Sequence, residues 1–335
     1  MKPDATSAQP PLLEIRDLRT WFPIRRGVFS ARAGWIKAVD GVSLALAPRE
    51  TLGLVGESGC GKTTLARTVA DLERAQGGAI RFKNEDLLHA DAARRRALRR
   101  GIQMVFQDPY ASLNPRMTVL DLVTEGLVEH GLLRGGRGDE AERLLGEVGL
   151  GPDAMLRYPF EFSGGQRQRI CLARAMSVRP ELLLCDEAVS ALDVSVQAQA
   201  LNLLMDLREK HALSLVFISH DLSVIKHVSD RVAVMYLGRV VEEGPVEAIM
   251  ERPLHPYTQA LISAVLIPGR KRGPRQILPG EIPSSASPPP GCHFHPRCPK
   301  AMARCRTEAP AERAVSGCRV RCHLYSGESH KQNIQ

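Results

Sequence analysis

The apolar positions of this chain come in short runs separated by longer amphipathic stretches. Residues 52–55 ("LGLV"), 182–185 ("LLLC") and 214–219 ("SLVFIS") are dense in leucine and β-branched residues, the pattern of strands buried on both faces. Helical patterns lie between them, and the alternation from Leu12 to about Pro245 predicts an α/β architecture. Between about Asp108 and Phe160 the strand signal fades and helical segments dominate, so a helical subdomain over about 108–178 is expected inside an α/β domain spanning 12–265. Residues 1–11 read as a flexible start. Residues 266–291 carry too much Pro, Gly and Ser to pack and read as a linker, followed by a cysteine-rich extension (292–325) and a short tail (326–335).

Composition narrows the class without choosing a function. The 335 residues are 44% hydrophobic and 24% charged, an ordinary globular balance. No apolar run approaches the roughly 20 residues of a membrane-spanning helix. The N-terminus lacks the apolar core of a signal peptide, so a reducing, cytosolic setting is expected, where clustered cysteines bind metal more often than they pair. The formal net charge of +8 decides nothing alone. Its densest run, Arg94–Arg96 with Arg99 and Arg100, reads as the solvated face of a helix.

Three stretches carry chemistry. In "LGLVGESGCGKTTLARTV" a short strand runs into Gly56, Gly59 and Gly61, whose freedom lets backbone N–H groups turn toward phosphate oxygens. Lys62 would reach the β- and γ-phosphates and Thr63 would hold Mg²⁺, with the N-terminus of the following helix adding its positive end. The apolar run 182–185 ends in Asp186 and Glu187, the first suited to Mg²⁺ and the second to orienting or deprotonating an attacking water. Third, Ser163 with Gly164 and Gly165 opens another helix aimed at an anion, more than 100 residues from the first. One nucleotide does not need both from one subunit, which implies a partner.

At these residues the chain resembles the ATP-binding cassette (ABC) ATPases that energise membrane transporters. "GESGCGKTT" (Gly56, Glu57, Ser58, Gly59, Cys60, Gly61, Lys62, Thr63, Thr64) looks like the Walker A loop and "MVFQDP", with Gln107, like the Q-loop. "FSGGQ" (Phe162 to Gln166) resembles the signature, "LLLCDE" Walker B, "SALD" with Asp193 the D-loop, and "ISHDL" with His220 the histidine switch. Phe22 matches the aromatic that stacks on adenine, with Trp21 a weaker candidate. The resemblance implies that Gln107 senses Mg²⁺ and the attacking water, and that His220 contacts the γ-phosphate and supports Glu187. It also implies that Asp193 lies at the interface of a head-to-tail dimer holding two ATP. Two departures stand out: Ala188 where proline is usual, which should loosen a turn, and Arg49 where relatives often place glycine.

Longer stretches, among them "QDPYASLNPRMTV", "SHDLSVIKHVSDRVAVMYLGR" and "PLHPYTQAL", resemble the ATPase subunits of oligopeptide and dipeptide importers, the second of the usual pair. That implies an ATPase on the cytoplasmic face of a bacterial membrane, peripheral to permease subunits and paired with a paralogous ATPase. An extracytoplasmic solute-binding protein would serve it indirectly, with no nucleic acid involved. "HPYTQAL" (255–261) is expected to form a proline-started helix. Five of the eight cysteines fall between residues 292 and 322. By resemblance, Cys292, Cys298, Cys305 and Cys322 are assigned to a possible [4Fe–4S] cluster, with zinc or free thiols as alternatives and Cys318 left over. A small tail without a real hydrophobic core would gain stability from such a staple, so a structural role is expected for it rather than redox chemistry. Cys60, Cys171 and Cys185 read as packing residues. A different class, a soluble cassette ATPase acting on nucleic acid or ribosomes, is the alternative.

Overall fold

The computed structural model describes residues 10–26, 31–189, 193–264, 276 and 278–326. The expected flexible start, most of the D-loop, nearly half of the expected linker and the final tail fall wholly or largely outside the described residues. The described chain forms two compact units, one gathering residues 10–14, 45–51 and 81–219, the other 15–44, 52–80 and 220–326.

In the first unit, strands Ile102–Val105, Leu182–Asp186 and Ser214–Ile218 run parallel, with Ile102 opposite Leu182 and Leu182 opposite Ser214. The last two strands are buried along their whole length, as their unbroken apolar runs require. Between Pro109 and Ser177 the regular elements are helical. Val119–Glu129, Arg137–Glu147 and Gly164–Ser177 pack together through Leu122, Val123, Ala141, Leu144, Leu145, Ile170 and Ala173. The basic helix Ala92–Arg100 keeps its arginines mostly at the surface, Arg94 paired with Glu85 and Arg96 with Glu129.

The second unit holds most of strands Leu13–Arg26, Ala31–Leu46 and Gly77–Phe82, the first lying between the other two. Its other sheet pairs the buried strand Thr51–Val55 in parallel with Arg231–Tyr236, Leu52 opposite Arg231. Strand Arg239–Pro245 continues antiparallel, and the cysteine-rich segment joins it directly. Cys318–Arg321 pairs with Arg239–Pro245, and Glu312–Val315 pairs with Cys318–Arg321. Glu243, buried in this ladder, is gripped by Arg231 and Arg319 from two different strands.

The proline-started helix is Pro256–Ser263. Its N-terminal amides are satisfied twice over: His255 Nδ1 accepts from the Tyr257 N–H at 3.1 Å, and buried Glu242 accepts from the Leu254 and His255 N–H groups at 2.7 and 2.9 Å. Phe294 from the cysteine-rich segment is buried against this helix start, with ring centroids 5.2 Å from Tyr236, 5.4 Å from Tyr257 and 5.5 Å from His255. Aromatic rings at such separations add packing energy beyond their buried area.

Arg49 has φ +62° in the turn before strand Thr51–Val55, the left-handed region that explains why glycine suits this place. Its side chain is exposed, and its N–H donates to Ser214 Oγ at 2.8 Å, a bond that glycine would keep. Arg49→Gly should therefore raise the unfolding free energy by about 0.5–1 kcal/mol in a urea titration. Burial holds His255 down to about 3 and His293 down to about 4. The unfolded chain binds protons there that the folded chain refuses, so their contribution is complete above the ordinary histidine range and is lost as pH falls below about 6.5. Melting temperatures measured from pH 7.5 to 5 should fall, at roughly 1 kcal/mol per pH unit for each histidine. His255→Asn, which keeps a capping acceptor without the titration, should make that fall shallower.

Candidate nucleotide site

The phosphate loop is built by close packing before any chemistry. Strand Thr51–Val55 delivers the chain to Gly56 at φ +150°, where a Cβ would stand 2.2 Å from the Met235 carbonyl oxygen. At Gly61, φ +106°, a Cβ would stand 2.0 Å from the Ala38 carbonyl oxygen. Both positions admit only glycine. Gly59, φ +76°, needs glycine for conformation alone, since nothing crowds it. Gly61 then starts helix Lys62–Val69. Lys62 is buried and folds back over the loop, its Nζ donating to the Gly56 and Glu57 carbonyls at 2.8 and 3.1 Å. Those bonds hold the ammonium inside the ring of the loop, beside the helix N-terminus where an anion is favoured.

The other loop residues divide by exposure. Ser58 is exposed, and Thr63 and Thr64 are half-buried. The Cys60 thiol is buried, which pushes its pKa up, so it packs as a neutral group. Burial pushes Cys171 up likewise and Cys185 up to about 12, as packing residues should behave. Glu57 is tied to the C-terminal part of the chain: its N–H donates to Tyr257 Oη at 2.8 Å, and its carboxylate accepts from both Nη atoms of Arg297 at 2.7 and 3.0 Å. Neither Tyr257 nor Arg297 stands out in the sequence: Tyr257 lies within "HPYTQAL", and no local pattern marks Arg297.

In the first unit, strand Leu182–Asp186 ends with Asp186 buried and Glu187 half-buried. Glu187 sits at φ +48°, a left-handed conformation costing a non-glycine residue about 1–2 kcal/mol. Its N–H is tied to the Ile218 carbonyl at 3.0 Å, and Gln107 Nε2 donates to its Oε2 at 2.9 Å. The structure thus joins the Q-loop glutamine to the proposed base. Ala188 follows as a buried residue. Thr63 lies in the second unit, and Asp186 and Gln107 lie in the first; their hydroxyl, carboxylate and amide oxygens are of the kind that Mg²⁺ takes.

Ser163 and Gln166 form a capping box at the start of helix Gly164–Ser177: the Ser163 N–H reaches Gln166 Oε1 at 3.0 Å, and the Gln166 N–H reaches Ser163 Oγ at 3.4 Å. Ser163, Gly164 and Gln166 are exposed, whereas Gly165 lets Val196 approach to 2.4 Å from where a Cβ would be. Phe162 is buried beneath the Arg157 guanidinium, 4.3 Å from its ring centroid. Asp193 is exposed at the N-cap position of helix Val194–His211, and His220 is exposed two residues beyond strand Ser214–Ile218. Phe22 is half-buried in strand Leu13–Arg26, while its neighbour Trp21 packs on Trp35 at 6.2 Å under the Lys37 ammonium.

The cysteine-rich segment departs from expectation. Cys292, Cys298, Cys305 and Cys322 do share a neighbourhood, near enough to act on one another electrostatically, and Cys318 stands apart against Gly244. Yet among the described residues no three His, Cys, Asp or Glu side chains are grouped to hold a metal ion. Burial pushes the Cys292 and Cys298 thiols up and Cys322 up to about 11. The possible [4Fe–4S] cluster therefore finds no support here. The segment is held by Phe294, by the strand ladder and by Arg297, and needs no metal to replace a missing core.

Comparison with known proteins agrees with the phosphate-loop reading. Residues 39–190 match the family model "ABC transporter", and residues 241–305 match "Oligopeptide/dipeptide transporter, C-terminal region". The oligopeptide transport ATP-binding protein AppF of Bacillus subtilis is 50% identical over 325 residues, covering 95% of this chain and 98% of that protein. OppF of Salmonella typhimurium, also an oligopeptide transport ATP-binding protein, is 50% identical over 306 residues, covering 89% and 92%. The dipeptide transport ATP-binding protein DppF of Escherichia coli is 44% identical over 335 residues, covering 99% and 100%. Among solved structures, a dimeric post-hydrolysis state of the ATP-binding cassette MJ0796 with ADP and Pi superposes at a TM-score of 0.61. It is 25% identical and covers 70% of this chain and 98% of that one. These relatives give no support to a nucleic-acid or ribosome factor. With half its residues shared over nearly its whole length, the chain belongs to the ABC transporter ATPases, in the branch that carries the oligopeptide/dipeptide transporter C-terminal region.

Proposed function

We propose that this ATPase powers the uptake of di- and oligopeptides, or similar small solutes, through an ABC importer. The observation that carries the reading is the near-complete coverage of peptide-transport ATP-binding proteins at up to 50% identity, phosphate loop and C-terminal region together. Among the described residues no helix is long and apolar enough to cross a membrane, so a passage for solute needs other subunits. Permease subunits, a paralogous ATPase as dimer partner and an extracytoplasmic binding protein fill those roles, with this chain peripheral on the cytoplasmic face.

Residues 12–265 serve as the ATPase domain, with 108–178 as its helical part. In it Lys62 and the loop amides of 56–64 bind the phosphates, Phe22 stacks on adenine, and Thr63, Asp186 and Gln107 hold the Mg²⁺. Glu187 orients and deprotonates the attacking water, with His220 supporting it at the γ-phosphate. The hydrogen bond from Gln107 to Glu187 supports this assignment, since it orients the carboxylate. The exposed Ser163, Gly164 and Gln166, with Gly165 and Asp193, present a helix start to the nucleotide of the second subunit.

Glu187→Gln should lower ATP turnover by about 10²–10⁴-fold while leaving ATP affinity unchanged. A phosphate-release assay paired with nucleotide titration separates the two, and turnover at the wild-type level would remove Glu187 from its role. Affinity-tagged protein drawn from native membranes in mild detergent should bring two permease proteins and a second cassette ATPase. Recovery with ribosomes from the soluble fraction would overturn the transport reading.

A further inference from the structure

In the phosphate loop, the side chain and the N–H of Glu57 are both held by the C-terminal part of the chain. Its carboxylate lies in a two-pronged ion pair with Arg297, at 2.7 and 3.0 Å, and its N–H is bound by the Tyr257 hydroxyl at 2.8 Å. Both partners are fixed. Tyr257 is fully buried in helix Pro256–Ser263, and Arg297 is 6% exposed, its guanidinium 6.0 Å from the Tyr236 ring. Phe294, three residues before Arg297, packs on Tyr236 and Tyr257 together, so the two grips share one aromatic cluster. A paired, planar guanidinium–carboxylate contact fixes orientation as well as distance, which a lysine at the same place does not.

The consequence falls on Lys62. Its ammonium is held by the carbonyl of Glu57 itself, at 3.1 Å, and by that of Gly56. A loop residue clamped at both its N–H and its carboxylate presents its carbonyl in one direction. The phosphate-binding lysine is thus aimed through Glu57 by groups 195 and 235 positions further along the sequence from it, and none of the loop's own glycines supplies that restraint.

We propose that Arg297 and Tyr257 are positioning residues for nucleotide binding: by clamping Glu57 they preorganise the phosphate loop, and the C-terminal segment thereby sets the affinity for ATP and ADP. The proposal rests on the reading of residues 56–64 as the phosphate site. Neither residue touches the nucleotide in this account. Preorganisation raises affinity by removing the ordering cost from the binding step.

The test is calorimetric titration of the full-length protein with Mg·ATP and Mg·ADP. Arg297→Gln and Glu57→Gln should each weaken both nucleotides by about tenfold, the scale of one charge-assisted hydrogen-bonded pair. Arg297→Lys should recover only part of the loss. The Glu57→Gln/Arg297→Gln double variant should bind no worse than the weaker single variant, because one interaction is removed either way. Tyr257→Phe, which keeps the aromatic packing and deletes only the hydroxyl, should weaken binding about threefold with the fold intact. Arg304→Gln, which breaks the exposed pair with Glu308, serves as the control and should change nothing. Affinities within twofold of wild type in folded Arg297→Gln and Tyr257→Phe would overturn the proposal and leave the phosphate loop standing, as would strictly additive losses in the double variant. Unchanged affinity in Lys62→Ala would instead overturn the phosphate-site reading itself, and this proposal with it.

Discussion

Two carbonyl oxygens decide where the phosphate loop runs. Those of Met235 and Ala38 occupy the places where side chains at positions 56 and 61 would have to be. The loop is therefore wedged between backbone from the Arg231–Tyr236 strand and backbone from the Ala31–Leu46 strand, with Gly238 N–H fastened to the Cys60 carbonyl at 2.9 Å. Contacts of this kind do not relax by a rotamer change, because both sides are main chain. The direction of the first amides of helix Lys62–Val69, the placement of Lys62 and the exposure of Ser58 all follow from that wedge.

Local rules made much of this legible. The buried strands announced themselves as unbroken apolar runs, and the glycine spacing with Lys62 and Thr63 pointed to the phosphate loop before any fold was known. Ser163 and Gln166 stand at capping-box spacing, which a reader can see without coordinates. What stayed hidden was every restraint between residues distant in sequence. The clamp on Glu57 spans 200 positions to Tyr257 and 240 to Arg297, and neither partner breaks a local pattern. The cysteine-rich segment misled for the same reason. Its composition offers no apolar run, so it looked coreless, whereas Phe294 finds its core among Tyr236, Tyr257 and His255. The thiols were visible and the ring that mattered was not.

Strain follows a similar division between structure and chemistry. Arg49 and Glu187 both occupy left-handed backbone, yet they stand in different company. Arg49 is a solvent-facing turn residue for which glycine would be easier. Glu187 carries a carboxylate held by Gln107 and a main-chain N–H held by Ile218, so its unusual backbone directs the carboxylate proposed above as the base. A costly conformation says little until one asks what the side chain does there.

The strand that the cysteine-rich segment adds has a consequence for the solubility of the whole chain. Strand Arg239–Pro245 is buried almost throughout, and it is Cys318–Arg321 that covers one of its flanks. The sheet then ends at Glu312–Val315, a strand of four residues, three of them exposed, that puts Glu312 and Arg313 at the rim. Short charged strands are poor templates for a second molecule, whereas a long apolar flank with open N–H and C=O groups invites one. The C-terminal segment is thus the sheet's protective border. A chain cut before it would keep every residue of the phosphate loop and leave that flank of strand Arg239–Pro245 without its ladder partners.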